Sequence, residues 1–177
     1  MPKYLFKIIL AGACGVGKTT LHIKFTEGTF ESNTPMTIGV DFAVVHTETK
    51  FGPTTLQIWD FGGVERFRVM LPSFCKGAKG CLLLFDLTRT HTFHELPEWI
   101  EIIRANNTDD VPVILCGAKA DLVANPDDPL PEGITQPDVN AFMEEHGVDD
   151  FKYISSKTGL NVREVFIQLA ETITERQ

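Results

Sequence analysis

Gly12-Ala13-Cys14-Gly15-Val16-Gly17-Lys18-Thr19 fits the pattern GxxxxGK[ST]. That spacing suits the binding of a phosphate anion. Glycines let the backbone curl so that several N–H groups point inward. With the positive end of a following helix, those donors form an anion cradle. Lys18 would reach the outer phosphates. The Thr19 hydroxyl would ligate magnesium, a hard cation that prefers oxygen. The motif carries this meaning only between a strand and a helix. The apolar stretch Tyr4–Ala11 supplies the strand, and a helix is expected from near Lys18 to near Gly28. Cys14 should lie beside the outer phosphates, as a small tolerated residue or as a thiol activated by the N–H groups and Lys18. The second reading implies faster alkylation in nucleotide-free protein.

The elements that must position this loop alternate along the chain. Further strands are expected at Val40–Thr49, Thr55–Asp60, Gly80–Asp86, Val111–Gly117 and Phe151–Ile154. The runs Cys81–Phe85 and Val113–Cys116 are apolar on both faces, as in parallel strands covered by helices. Phe42–Thr47 and Leu56–Trp59 partly alternate, and Phe51-Gly52-Pro53 between them reads as a hairpin connection. A helix is expected from Thr92, with Glu95 completing a capping box and Leu96, Trp99, Ile100 and Ile103 facing the core. Thr135 and Asp138 mark another start before Val139, Phe142 and Met143. Asn161 is a candidate cap for the last helix, with Leu160 and Val165 as a hydrophobic staple. Val162, Val165, Phe166, Leu169 and Ile173 would form its buried stripe. The expected fold is a three-layer α/β arrangement with a six-stranded, mostly parallel sheet, one antiparallel edge strand and about five helices. Ligands in such sheets bind at the carboxyl ends of the strands. Residues 125–133 read as one surface loop.

The 177 residues suit one domain spanning 1–177, with a single sizeable core. A net charge of −8 argues against nucleic acid as a partner and against a basic membrane patch, so phosphate binding needs a local device. The apolar run Leu5–Gly12 is too short for a signal peptide, and no segment reaches the length of a membrane helix. Cys14, Cys75, Cys81 and Cys116 form no CxxC pair, which fits reduced thiols in a cytoplasmic protein; Cys81 and Cys116 read as core filler. The five histidines show no catalytic spacing and are expected in surface or loop positions.

A phosphate loop alone leaves kinases, ATPases and GTPases open. Ala118-Lys119-Ala120-Asp121 and Ser155-Ser156-Lys157, each after a strand, resemble the guanine-recognition elements NKxD and SAK of small GTPases. Trp59-Asp60-Phe61-Gly62-Gly63-Val64-Glu65-Arg66-Phe67 resembles that family's WDTAGQERF segment. Thr37-Ile38-Gly39-Val40-Asp41-Phe42 is similar to the first switch of Rab proteins, and Phe74–Ala78 to their YYRGA stretch. The chain thus resembles a Rab-like small GTPase of the Ras superfamily over nearly its whole length.

The resemblance implies a GTP/GDP switch and assigns roles. Cys14, Gly15, Val16, Gly17, Lys18, Thr19 and Thr20 would hold the phosphates. Asp121 would accept from the guanine N1 and exocyclic amine, and the Ser156 N–H would donate to its oxygen. Ala118, Ser155 and Lys157 would complete the base site, with Lys119 along one side of the base and Phe30 against the other. Thr37 would ligate magnesium and sense the terminal phosphate, while Asp60 would hold a magnesium-bound water. The Gly63 N–H would touch that phosphate, making Lys18, Thr37 and Gly63 the catalytic set. Ile38, Phe42, Trp59 and Phe74 would face effectors. An exchange factor and a GTPase-activating protein are implied as partners.

Three departures from the family pattern matter. Ala118 replaces the asparagine of NKxD, which predicts weaker binding with guanine preference retained. Val64 replaces the glutamine that orients the attacking water, which predicts slow hydrolysis. Phe61 and Gly62 replace threonine and alanine; the Gly62–Gly63 pair would free the second switch loop, while Phe61 would anchor it. A hydrolysis-deficient binding module that stays GTP-loaded is the alternative reading. No cysteine follows Cys116, so these residues carry no prenylation motif. Peripheral membrane association would need partners or a tail.

Overall fold

The computed structural model describes residues 1–63, 65–108, 110–123 and 125–177, without the side chain of Glu65. Six strands form one sheet: β1 (Tyr4–Ala11), β2 (Val40–Thr49), β3 (Gly52–Phe61), β4 (Gly80–Asp86), β5 (Val113–Ala118) and β6 (Asp150–Tyr153). Their order is β2-β3-β1-β4-β5-β6. Only β2 runs antiparallel to its neighbour, as expected for the edge strand. The α-helices are α1 (Lys18–Glu27), α2 (Leu71–Cys75), α3 (His91–His94), α4 (Leu96–Ala105), α5 (Gln136–His146) and α6 (Val162–Glu175). A 3₁₀ turn over Glu65–Met70 precedes α2.

Alternation along the central strands divides the interior into two layers. Phe6, Ile8 and Leu10 of β1, with Leu82 and Leu84 of β4, pack on one face with Leu21 of α1 and Val165, Phe166 and Leu169 of α6. Ile9, Ala11, Cys81, Leu83 and Phe85 point the other way, toward Phe93, Trp99, Ile100, Ile103 and Phe142. A period of two along a strand produces this division, and helices on both faces explain why the strands are apolar throughout. Cys81 and Cys116 are fully buried core filler, as the sequence implied.

Local differences have local causes. The hairpin turn is Lys50-Phe51, because Gly52 and Pro53 already pair with Thr49 and Glu48 in the β3 ladder. Pro53 is the second residue of β3 and pairs with Glu48 beside the hairpin turn, a strand-end position that tolerates a missing N–H. Thr92 does not cap a helix: it is buried, accepts from the Asp86 N–H at 2.9 Å and donates to the Arg89 carbonyl at 2.7 Å. The expected single helix is split at Glu95, since Pro97 has no N–H to give the preceding turn; taken as one bent helix, α3 and α4 bring the total to five. Thr135 and Asp138 do form a capping box at α5. Asn161 sits at the start of α6 with φ 53°, and its amide donates to the Tyr153 carbonyl instead of capping. Leu160 is half-exposed, not a buried staple residue.

Candidate functional site

The carboxyl ends of β1, β3, β5 and β6 open onto one cavity of about 500 Å³. Its wall includes residues 14–20, Phe30, Thr37, Gly62, Gly63, Ala118, Lys119, Asp121, Ser156 and Lys157. Predicted nucleotide-binding residues from five separate stretches of sequence (14–20, 30–37, 62–63, 118–121 and 156–157) therefore line one space. Ser155 is the exception: it is buried behind the wall.

The loop after β1 is shaped by its first glycine. Gly12 has φ 138°, and a Cβ there would lie 2.3 Å from the Leu84 carbonyl oxygen. Only glycine lets the loop leave the sheet so tightly. Lys18 folds back over the loop and donates to the carbonyls of Gly12 (2.7 Å) and Ala13 (2.8 Å). The residue is 5% exposed. Burial lowers the ammonium pKa from 10.5 to about 8, against the opposing pull of Asp60. An anion bound beside it would favour the charged form and raise that value again.

Three side-chain oxygens converge next to this lysine. Thr19 Oγ1 at the start of α1 lies 2.5 Å from Thr37 Oγ1 and contacts Asp60 Oδ2 in β3. Asp60 is buried, and its Oδ1 has no hydrogen-bond partner. An all-oxygen set with an unsatisfied buried carboxylate oxygen suits a hard divalent cation. The donors fit magnesium.

The two loops flanking this point touch closely. A Cβ on Gly62 would lie 2.4 Å from the Thr37 carbonyl oxygen, and one on Gly63 would lie 2.3 Å from the Cys14 nitrogen. The Gly62 N–H donates to the Gly39 carbonyl at 2.8 Å. The glycine pair thus serves close approach, where the sequence suggested freedom. Phe61 is buried and anchors the segment, as expected. Val64 lies outside the described residues.

At the other end of the cavity, Asp121 accepts from Ser155 Oγ at 2.6 Å, and Ser155 Oγ accepts from the Thr158 N–H at 3.1 Å. These bonds fix the carboxylate toward the opening. Lys119 takes a left-handed conformation, φ 64°, and its ammonium lies 2.7 Å from Asp86 Oδ2. Ala118 is buried, offers no side-chain bond, and uses its carbonyl to accept from Leu87 N at 3.0 Å.

Sequence reasoning missed two residues here. Asp86, buried at the end of β4, receives Lys119 on one side and Arg89 Nε at 2.9 Å on the other. Arg89 also donates to the Cys14 carbonyl at 3.0 Å. Burial pushes the Asp86 carboxyl up, but hydrogen bonds from Lys119, Thr88 and Arg89 together hold it below its ordinary value. The available signal was a lone acid ending the apolar run Cys81–Phe85. Of the histidines, His22 departs from expectation: it is buried in α1.

Outside the cavity, Phe42 and Trp59 meet edge-on at 5.2 Å, and Trp59 and Phe74 lie 5.7 Å apart. Ile38 and Phe42 are exposed. Phe42, Trp59 and Phe74 thus form one aromatic row across β2, β3 and α2. No helix among the described residues is long and apolar enough to cross a membrane.

A sequence profile of the Ras family matches residues 7–175. The chain is 38% identical over 173 residues to a Ras-related protein RAB1BV from Beta vulgaris. That alignment covers 98% of this chain and 78% of the relative.

Proposed function

Since this chain belongs to the Ras family and is a Rab-like small GTPase, we propose that residues 1–177 act as one G domain, a GTP/GDP switch with slow hydrolysis that signals to protein effectors in membrane-traffic-like regulation. The observation that carries the reading is the meeting of Thr19, Thr37 and Asp60 at one end of a cavity whose other end presents Asp121.

The residues divide the work by chemistry. Backbone N–H groups of residues 14–19 and the Lys18 ammonium bind phosphate oxygens. Asp121, held by Ser155, accepts from the guanine donors. A base lacking those donors leaves a carboxylate unpaired, and sites of that type discriminate by roughly 10⁴-fold. The Ser156 N–H donates to the guanine oxygen, and Phe30 and Lys119 flank the base. Thr19 and Thr37 would ligate magnesium and Asp60 would hold its water; the ion, when bound, neutralises charge on the outer phosphates. The Thr37 and Gly63 loops close on the terminal phosphate and relax when it leaves. Ile38, Phe42, Trp59 and Phe74 then present a different surface to effectors.

Hydrolysis is slow in this reading because Val64 cannot hydrogen-bond to the attacking water. The same residue supports a second reading, a hydrolysis-deficient module that stays GTP-loaded and scaffolds partners. Single-turnover phosphate release from GTP-loaded protein separates them: slow but measurable release supports the switch, and none above the uncatalysed rate supports the module. Competition by ATP as strong as by GTP would remove both.

A further inference from the structure

His22 is the third residue after Thr19 on α1, and its side chain is 7% exposed. Neither ring nitrogen has a hydrogen-bond partner. An imidazole buried this way forfeits about 1–3 kcal/mol for each unsatisfied polar group. Its Nε2 nevertheless points between two carboxylates on different strands. Asp41 Oδ2 of β2 lies at 3.4 Å and Asp60 Oδ2 of β3 at 3.5 Å. The three ligand atoms all lie within 4.8 Å of one another.

These separations are too long or too bent for good N–H···O bonds. The two imidazole–carboxylate separations match another geometry. A tetrahedral zinc ion with bonds of about 2.0–2.1 Å holds its ligand atoms about 3.3–3.4 Å apart. One nitrogen and two carboxylate oxygens form a ligand set that zinc accepts, and imidazole favours zinc over magnesium. The Asp41 side chain is 55% exposed, which gives an entry path and leaves a fourth position to water. Asp60 Oδ1, buried and unpartnered, gives the carboxylate a spare oxygen to serve two neighbours.

We propose that His22, Asp41 and Asp60 form a second metal site, for a borderline divalent cation of the zinc class. It is separate from the all-oxygen site of Thr19 and Thr37 and shares the Asp60 carboxylate with it. The ion would tie α1, β2 and β3 together one residue from Phe42. A partner reading that surface would meet a stiffer edge in the metal-bound protein. Because His22 Nδ1 lacks an outer hydrogen bond, the site binds more weakly than a structural zinc centre.

Cobalt(II) replaces zinc and reports its own geometry. GDP-loaded protein in excess magnesium is titrated with cobalt(II). The expected result is the intense visible absorption of four-coordinate cobalt, saturating at one equivalent and abolished by zinc. His22→Leu and Asp41→Asn should each weaken it by at least the roughly 10–100-fold that loss of an outer-shell partner costs. Asp41 is exposed, so that variant retains the core. Only the weak absorption of six-coordinate cobalt, or a four-coordinate signal that persists in both variants, overturns the proposal.

Discussion

Arg89 donates to the Cys14 carbonyl at 3.0 Å while its Nε holds Asp86 at 2.9 Å. Asp86 also holds Lys119 at 2.7 Å. The phosphate loop and the base loop are therefore joined through a buried carboxylate. Ala118 offers no side-chain bond for that purpose, and this relay braces the two loops.

Removing the relay should loosen the nucleotide. Arg89→Ala loses a charge-assisted bond to the loop, a contribution of about 1.5–3 kcal/mol. GDP release should accelerate by roughly tenfold or more, measured with a fluorescent nucleotide. Asp86→Asn should destabilise the fold by about 3 kcal/mol, the low end for a broken buried pair because both partners remain about one-third exposed. The pH dependence follows from the depressed carboxyl. The ionised form contributes stability above the ordinary carboxylate value, and that contribution is lost as pH falls through the lower folded value. Urea midpoints of the wild type and Asp86→Asn should converge in strong acid.

Lys18 gives a slope of the same sign at higher pH. Its pKa falls from 10.5 unfolded to about 8 folded in the absence of nucleotide. The unfolded chain binds more protons between these values, so folding stability rises with pH across them. The rise is about 3 kcal/mol. Comparing nucleotide-free wild type with Lys18→Met should isolate it, since the variant lacks this titration. A GDP-loaded sample should lose the slope, because bound phosphate restores the charge.

The base site supports paired substitutions. Ala118→Asn should tighten GDP by up to roughly tenfold, the value of one hydrogen bond of about 0.5–1.5 kcal/mol. Asp121→Asn should erase the preference of GTP over ATP. Calorimetric titration reads both.

Val64→Gln should raise single-turnover GTP hydrolysis by the order of 10²–10⁴ that a positioned group contributes. An unchanged rate would mean that another group already holds the water.

Trp59→Ala should abolish nucleotide-dependent partner capture, since it removes the ring joining Phe42 to Phe74. GDP affinity should stay within about threefold, because Trp59 lies outside the cavity wall.

The strands were legible where burial alone decides them. Tyr4–Ala11, Val40–Thr49 and Gly80–Asp86 have the bounds their patterns imply. β3 begins at Gly52 because antiparallel pairing with β2 recruits Thr54 and, before it, Gly52 and Pro53, which carry no strand signal of their own. Thr92 was misread for a related reason: a threonine followed by glutamate looks like a cap, but tertiary contact with Asp86 claimed its hydroxyl. The phosphate loop was legible because its chemistry is contiguous. Arg89, Asp86 and His22 were not, since each acts through partners far away in sequence. The Gly62–Gly63 pair looked like slack until the opposing carbonyl and amide came into view.

That pair makes the segments around Thr37 and Cys14 intolerant of added bulk opposite them. Where Gly62 faces Thr37, one methyl group would act as a wedge, so closure there can be graded carbon by carbon. Alanine and then serine at position 62 would set how closely the two loops can approach beside the cavity.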